Sequence, residues 1–330
     1  MKVVIVLRPL TNGHSLELVY QKICDQLNTI GICASIYKIK SRSFFPLVDI
    51  INLNKINADI FHISGDVNYL ATFLPTKKII LTIHDVGRYI ELSGFKKIIY
   101  KLYWIIFPLL TSNLIFASSK KTQSKVQSLL PLTRNKVLYV PICTGLNIEP
   151  KINKKNNKKF TILHVGTTKN KNLTNVILAL QEIDCVLHIV GNILKNDSEL
   201  LKKHKIDFQN YINISDQEII LLYQEADLTT FPSFHEGFGL PIIESQLAGT
   251  PVLTSNILPM SEVAGNAAHL IDPHSVKEIS QGVAALIRDF NYRATLIEDG
   301  FRNSERYSAK IVAEKHLKIY KRLLEKHYER

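Results

Sequence analysis

The feature that most constrains this chain is an alternation of two kinds of segment. Short apolar runs rich in β-branched residues, VVIVL (3–7), ASIYKI (34–39), DIFHI (59–63), KIILTI (78–83), NLIFAS (113–118) and KVLYVP (136–141), are separated by amphipathic stretches such as SLELVYQKICDQLNTIG (15–31). The runs are continuously apolar rather than alternating, the pattern of strands covered on both faces of a parallel sheet. Gly31 closes the 15–31 stretch, where a helix C-terminus favours a residue free to take positive φ. After the polar run KINKKNNKK (151–159) the pattern starts again with FTILHVG (160–166), CVLHIVG (185–191), YINI (211–214), DLTTFP (227–232), PVLTS (251–255) and AHLID (268–272). Helical stretches lie between them over 173–183, about 194–205, 216–226 and about 241–248.

A chain of 330 residues exceeds one ordinary core. Two successive βα series therefore predict an α/β protein of two doubly wound, Rossmann-like domains with a cleft between them. The expected boundaries are 1–145 for the first domain, 146–159 for a linker and 160–306 for the second. Residues 307–330 read as a basic amphipathic helix packing back on the first domain.

The net charge of +12 is unevenly spread: residues 1–150 hold 18 Lys+Arg against 8 Asp+Glu, whereas residues 201–300 hold 6 against 13. Basic surfaces attract nucleic acid, anionic head groups or phosphorylated substrates. The acidic second half and the lack of an aromatic–basic recognition motif weigh against nucleic acid. Cys24, Cys33, Cys143 and Cys185 form no CxxC pair and no zinc spacing, so no metal site is expected, and reduced thiols point to the cytoplasm. The N-terminal MKVVIVLRPL lacks the apolar length and cleavage site of a signal peptide. The stretch IIYKLYWIIFPLL (98–110), broken by Lys101 and Pro108, is too short to span a bilayer. With Lys96 and Lys97 it reads either as a partly buried helix or as a peripheral element at an anionic membrane, such as the inner face of the plasma membrane.

The densest chemistry lies in FPSFHEGFGLPIIESQLAGTPVLT (231–254). DLTTFP ends a strand, and Pro241 suits the first turn of the next helix. Gly237 and Gly239 permit positive φ and close approach of a ligand to bare backbone. N–H groups of such a turn, followed by a helix start, suit a phosphate. Glu244 is expected in the first turn, where a carboxylate grips hydroxyls such as those of a ribose, and Glu236 flanks the turn on its other side. A first-turn Glu is equally what the helix dipole favours on its own.

The whole stretch SDQEIILLYQEADLTTFPSFHEGFGLPIIESQLAGTPVLTSNILPMSEVAGNAAHLIDP (215–273) resembles the donor-binding half of GT-B-fold glycosyltransferases of the large retaining family 4. That family carries an E-x7-E motif, matched here by Glu236 and Glu244. The resemblance implies that Glu244 binds the nucleotide ribose, that the backbone of Gly237, Phe238, Gly239 and Leu240 contacts the diphosphate, and that Glu236 contacts the transferred sugar. Thr254 and Ser255 would lie behind the site, and SEVAG (261–265) would be structural. The family's Gly-rich strand end and basic loop correspond to VGTTKNKNLTNVI (165–177), giving Gly166 and Thr167 as donor contacts and Lys171 as the cation opposite the leaving diphosphate. The Arg expected just before Lys171 is Asn170, with Lys169 as a substitute cation.

In the first half, ILTIHDVGRY (80–89) resembles the family's strand-end His-Asp pair, implying that His84 contacts donor sugar or acceptor and that Asp85 orients it. RPLTNGHSLELV (8–19) occupies the place of a glycine loop under the donor phosphates, with Gly13 its remaining glycine. ISGDVNYLA (63–71) offers Asp66 and Tyr69 as acceptor-side candidates. The resemblance thus implies a metal-independent, retaining hexosyltransferase that needs no cofactor. Its donor would be a UDP- or GDP-linked sugar, and its acceptor a hydroxyl of a glycan or lipid-linked glycan in bacterial surface polysaccharide biosynthesis. A GT-B epimerase or phosphorylase is the alternative, although no lysine suited to pyridoxal phosphate is evident; a basic nucleic-acid-binding protein is the weaker one.

Overall fold

The computed structural model describes residues 1–9, 15–40, 46–87, 89, 92–150 and 159–325. Gly13 and most of the KINKKNNKK run lie outside the described residues. The chain divides into two compact units, Met1–Gly145 together with the chain from Tyr307, and Leu146–Arg306.

In the first unit six parallel strands, β1 (Lys2–Leu7), β2 (Cys33–Lys38), β3 (Ile60–Ile63), β4 (Ile79–Ile83), β5 (Leu114–Ala117) and β6 (Val137–Tyr139), follow the order β2-β1-β3-β4-β5-β6. The strands β3 and β4 are buried along their whole length and β5 in all but its first residue, which is why their sequences read as unbroken apolar runs. The order reverses between β1 and β3, so the chain leaves these two strands in opposite directions and opens a crevice at their C-terminal ends. The helix Ala309–Glu325 belongs to this unit. Tyr320 Oη lies 2.7 Å from Nδ1 of the buried His62, whose Nε2 lies 2.6 Å from Thr82 Oγ1. The His316 ring packs against those of His62 and Phe116. The apolar stretch at 98–110 is helical: Gly94–Tyr100 leads into a π-helical turn, Lys101–Ile106, and then Phe107–Thr111.

In the second unit β7 (Phe160–Val165), β8 (Cys185–Val190), β9 (Asp207–Tyr211), β10 (Leu228–Phe231), β11 (Val252–Ser255) and β12 (His269–Ile271) form a parallel sheet of order β12-β11-β10-β7-β8-β9. Here the order reverses between β7 and β10. The ninth strand is DFQNY and not the expected YINI, and its register against β8 runs from Val186–Asp207 to Val190–Tyr211. It is the edge of the sheet and half solvated, so no apolar run marks it. The helix expected over 173–183 ends earlier, as Leu173–Ala179. With two such parallel, helix-flanked sheets the chain has the GT-B fold.

Candidate functional site

The switch point of the second unit gathers the residues singled out in its sequence. β7 ends at Gly166, whose φ is +94°, and a short 3-10 turn, Lys169–Lys171, leads through the left-handed Asn172 into the Leu173–Ala179 helix. β10 leads through Pro232 and the loop 233–239 to Gly239, a left-handed N-cap with φ +111°, and the helix Leu240–Leu247. The two loops are sewn together. Phe234 N–H donates to the Asn170 carbonyl at 2.8 Å, and the Asn172 side-chain amide donates to the carbonyls of Pro232 and Pro273 at 3.0 and 2.7 Å.

Between the loops Lys171 Nζ meets Glu236 Oε1 at 2.8 Å, with both side chains mostly shielded, 20% and 14% exposed. The ammonium also lies 4.6 Å from the centroid of the Phe231 ring, a cation–π contact that places it against the sheet end. Asn170 donates to the same carboxylate oxygen at 3.4 Å and to the His235 carbonyl at 3.2 Å, so it braces Glu236 where a second cation was expected. Lys169 is exposed and makes no ion pair among the described residues. Behind Lys171, His164 is fully buried; burial first, and the lysine charge second, lower its pKa to about 4.

Glu244 is the fifth residue of its helix, one residue further in than expected, because the helix begins at Leu240 immediately after the glycine cap. It is buried and accepts the Tyr223 hydroxyl at 2.8 Å, and burial with that carboxylate holds the phenol pKa well above its usual value. A carboxylate fixed this way is oriented before any ligand arrives. Phe238 packs into the core, and the Thr167 hydroxyl donates to the Asn192 carbonyl at 2.6 Å; both residues therefore offer a ligand backbone rather than side chain. Thr254 and Ser255 donate to the carbonyls of Phe231 and Ser233 and hold the β10 end from behind.

The first unit carries a cavity of about 220 Å³ at its β1/β3 switch point, lined by Arg8, Asp66, Asn68, His84, Asp85 and Tyr100 among others. His84 Nε2 lies 2.9 Å from Ser64 Oγ, while its Nδ1 is buried with no partner among the described residues. Ser118 and Thr122 both donate to its carbonyl, fixing the strand end. Burial lowers the ring pKa to about 4, so the His84 ring is neutral near pH 7. Arg8 is paired with the buried Glu17 at 2.9 Å. Asp66 takes a positive φ of 62°, and its carbonyl accepts the Trp104 indole N–H while Asn68 donates to the Trp104 carbonyl. Tyr69 does not reach the cavity wall; it is buried and stacked on Tyr103. Arg8, Asn68 and Tyr100 in this wall, and Tyr223 in the second unit, went unnoticed in the sequence. Only their three-dimensional neighbours give them a role.

Residues 147–303 match the family model described as Glycosyl transferases group 1. The chain is 33% identical over 110 residues to the O-antigen chain mannosyltransferase B of Escherichia coli, a match covering 33% of this chain and 29% of that protein. Matches to two further curated relatives, a D-inositol 3-phosphate glycosyltransferase of Corynebacterium glutamicum and a serotype-specific mannosyltransferase of Escherichia coli, cover 22% and 16% of their lengths. The chain thus spans less than a third of these relatives. Among solved structures it is similar to a glycosyltransferase from Rickettsia africae, with TM-score 0.78, 19% identity and 98% of both chains covered. It is also similar to Anabaena HepE in complex with UDP and glucose, with TM-score 0.74, 15% identity, and 97% of this chain and 99% of that one covered. Residues 147–303 are thus similar in sequence to the group 1 glycosyl transferases, and the two parallel sheets have the GT-B fold.

Proposed function

We propose that the chain is a retaining glycosyltransferase that moves a sugar from a UDP- or GDP-linked donor to a hydroxyl of a glycan or lipid-linked glycan in bacterial surface polysaccharide biosynthesis. The observation that carries this reading is the Lys171–Glu236 pair, held at the switch point of the second unit beside a glycine-capped helix that also bears Glu244. A diphosphate bound at the 237–240 turn takes its backbone N–H groups and draws the Lys171 ammonium away from Glu236. The freed Glu236 carboxylate accepts hydroxyls of the sugar, and Glu244, oriented by Tyr223, accepts those of the ribose. As the glycosidic bond breaks, negative charge grows on the departing phosphate, and Lys171 stabilises it. That diphosphate takes the proton of the incoming hydroxyl on the same face, so no protein base is required. The cavity around His84 suits the hydroxyls of the reacting sugars, because its buried Nδ1 lacks a partner among the described residues.

The UDP carried by Anabaena HepE supports a nucleotide donor of this class. Turnover with a panel of UDP- and GDP-sugars, with the product anomer read by NMR, tests the reading. Retention with activity lost in Lys171→Ala and Glu236→Ala is expected; full activity in either variant, or an inverted product, overturns it.

A further inference from the structure

Nine of the fifteen large exposed apolar side chains among the described residues lie on two segments of the first unit. On 94–111 the exposed residues include Phe95 at 74%, Ile98 at 55%, Leu102, Phe107 and Leu110. Phe95, Ile98 and Leu102 follow the three-to-four-residue spacing of one helix face. Beyond Leu102 an ordinary α-turn would rotate the stripe away, but the chain is π-helical there and Phe107 N–H bonds the Leu102 carbonyl. That i→i+5 bond puts Phe107 one turn above Leu102, and Leu110 follows three residues on. The second segment, Leu47–Lys55, exposes Leu47, Val48 at 62% and Ile51.

The two segments share one face of the sheet. Right-handed crossovers send every connection from β2 to β6 to the same side, opposite the Ser15–Thr29 helix. They are joined through Phe73, whose carbonyl accepts the Asn54 amide and whose ring packs on Tyr103. The exposed charge on these two segments has one sign. Lys96 is exposed and Lys97 and Lys101 are half-exposed, whereas the single acidic residue in 47–55 and 92–111 is Asp49. Asp49 is fully buried, accepting from Tyr37 Oη and the Lys40 N–H. No helix of the described residues is long and apolar enough to cross a membrane.

We propose that this face docks on an anionic lipid bilayer, with the Phe95–Leu110 stripe and the Leu47–Ile51 cluster entering the head-group layer and Lys96, Lys97 and Lys101 meeting lipid phosphates. A protein partner would need only shape and apolar area; the lack of any exposed acid on the segments 47–55 and 92–111 fits a surface that is negative everywhere. The inference is independent of the proposed transfer chemistry.

Co-sedimentation of the full chain with vesicles of phosphatidylglycerol and phosphatidylcholine, against phosphatidylcholine alone, tests it. Partitioning is expected on the anionic vesicles, falling steeply with salt. Lys96→Gln, Lys97→Gln and Lys101→Gln together lower it about a hundredfold, from roughly fivefold per lysine. Ile98→Asp with Leu102→Asp abolishes it. If that pair disturbs the thermal melt, the lysine triple decides alone. Equal binding to neutral vesicles, no binding, or binding unchanged in the lysine triple overturns the proposal. So does a wild-type dimer in light scattering that becomes monomeric in Ile98→Asp without any vesicle binding, since the face would then join two copies of the chain.

Discussion

A β-carbon built on Gly166 would stand 2.9 Å from Cγ of Lys171 and 3.0 Å from its Cε. The lysine stem runs across the bare glycine on its way to Glu236, so the strand end and the ion pair form one unit. Gly166 also holds a φ of +94°, which side chains rarely adopt. Gly166→Ala is therefore expected to cost about 1 to 3 kcal/mol of stability in a thermal or urea melt. It should also lower transfer at least about tenfold by displacing Lys171, since small misplacements of a catalytic group weigh heavily on rate. A variant with unchanged melt and unchanged turnover would show that the close approach has no role.

The Lys171–Glu236 contact gives a second prediction. Removing one partner leaves the other mostly shielded and unpaired, whereas removing both leaves neither. Lys171→Met and Glu236→Gln should each destabilise the second unit, and the double variant should recover part of the loss, with a coupling of about 0.5 to 3 kcal/mol. Turnover should behave differently: each single variant falls about 100-fold or more, and the double is no better. Denaturant melts and kcat/KM on the same three proteins separate a structural pair from one that works in the reaction.

Tyr223→Phe tests the orientation of Glu244. The hydroxyl sits 2.8 Å from a buried carboxylate, and its loss removes a charge-assisted hydrogen bond at a cost of about 1 to 3 kcal/mol. Nucleotide affinity measured by titration calorimetry should weaken roughly tenfold. Discrimination between a nucleotide and its deoxyribose analogue should shrink, because a loosened carboxylate no longer prefers the ribose hydroxyls. Equal discrimination in both proteins would detach Glu244 from the ribose.

The sheets were legible because strands buried on both faces are written as continuous apolar runs. β9 escaped because an edge strand half in water carries a polar sequence, DFQNY. Glu236 and Glu244 were visible as a spacing around a glycine turn. That Lys171 touches Glu236, 65 residues away, was not, since it depends on β7 and β10 being neighbours at the switch point. The same holds for Asn170, which sits where a cation was expected and instead braces the carboxylate. The first-unit cavity draws Arg8, Asp66 and His84 from the ends of three strands far apart in sequence, so no local pattern announces it.

The buried histidines set the acid limit of the fold. His84 and His316 in the first unit and His164 in the second each have a pKa lowered to about 4, chiefly by burial, against 6.5 in an exposed ring; His62 is pushed down in the same direction. Between about pH 6.5 and 4 the unfolded chain binds these protons and the folded one does not, so stability is full above about pH 6.5 and is lost as pH falls toward 4. A shift of that size corresponds to roughly 3 kcal/mol per ring at the acid end. Urea melts at pH 7, 5.5 and 4.5 should show a steep decline, larger for the first unit, which holds three of the four most depressed rings. His316→Leu removes one titrating ring from under the Ala309–Glu325 helix and should flatten the decline for that unit even if it lowers stability at pH 7. A decline of equal steepness in the variant would place the acid sensitivity elsewhere.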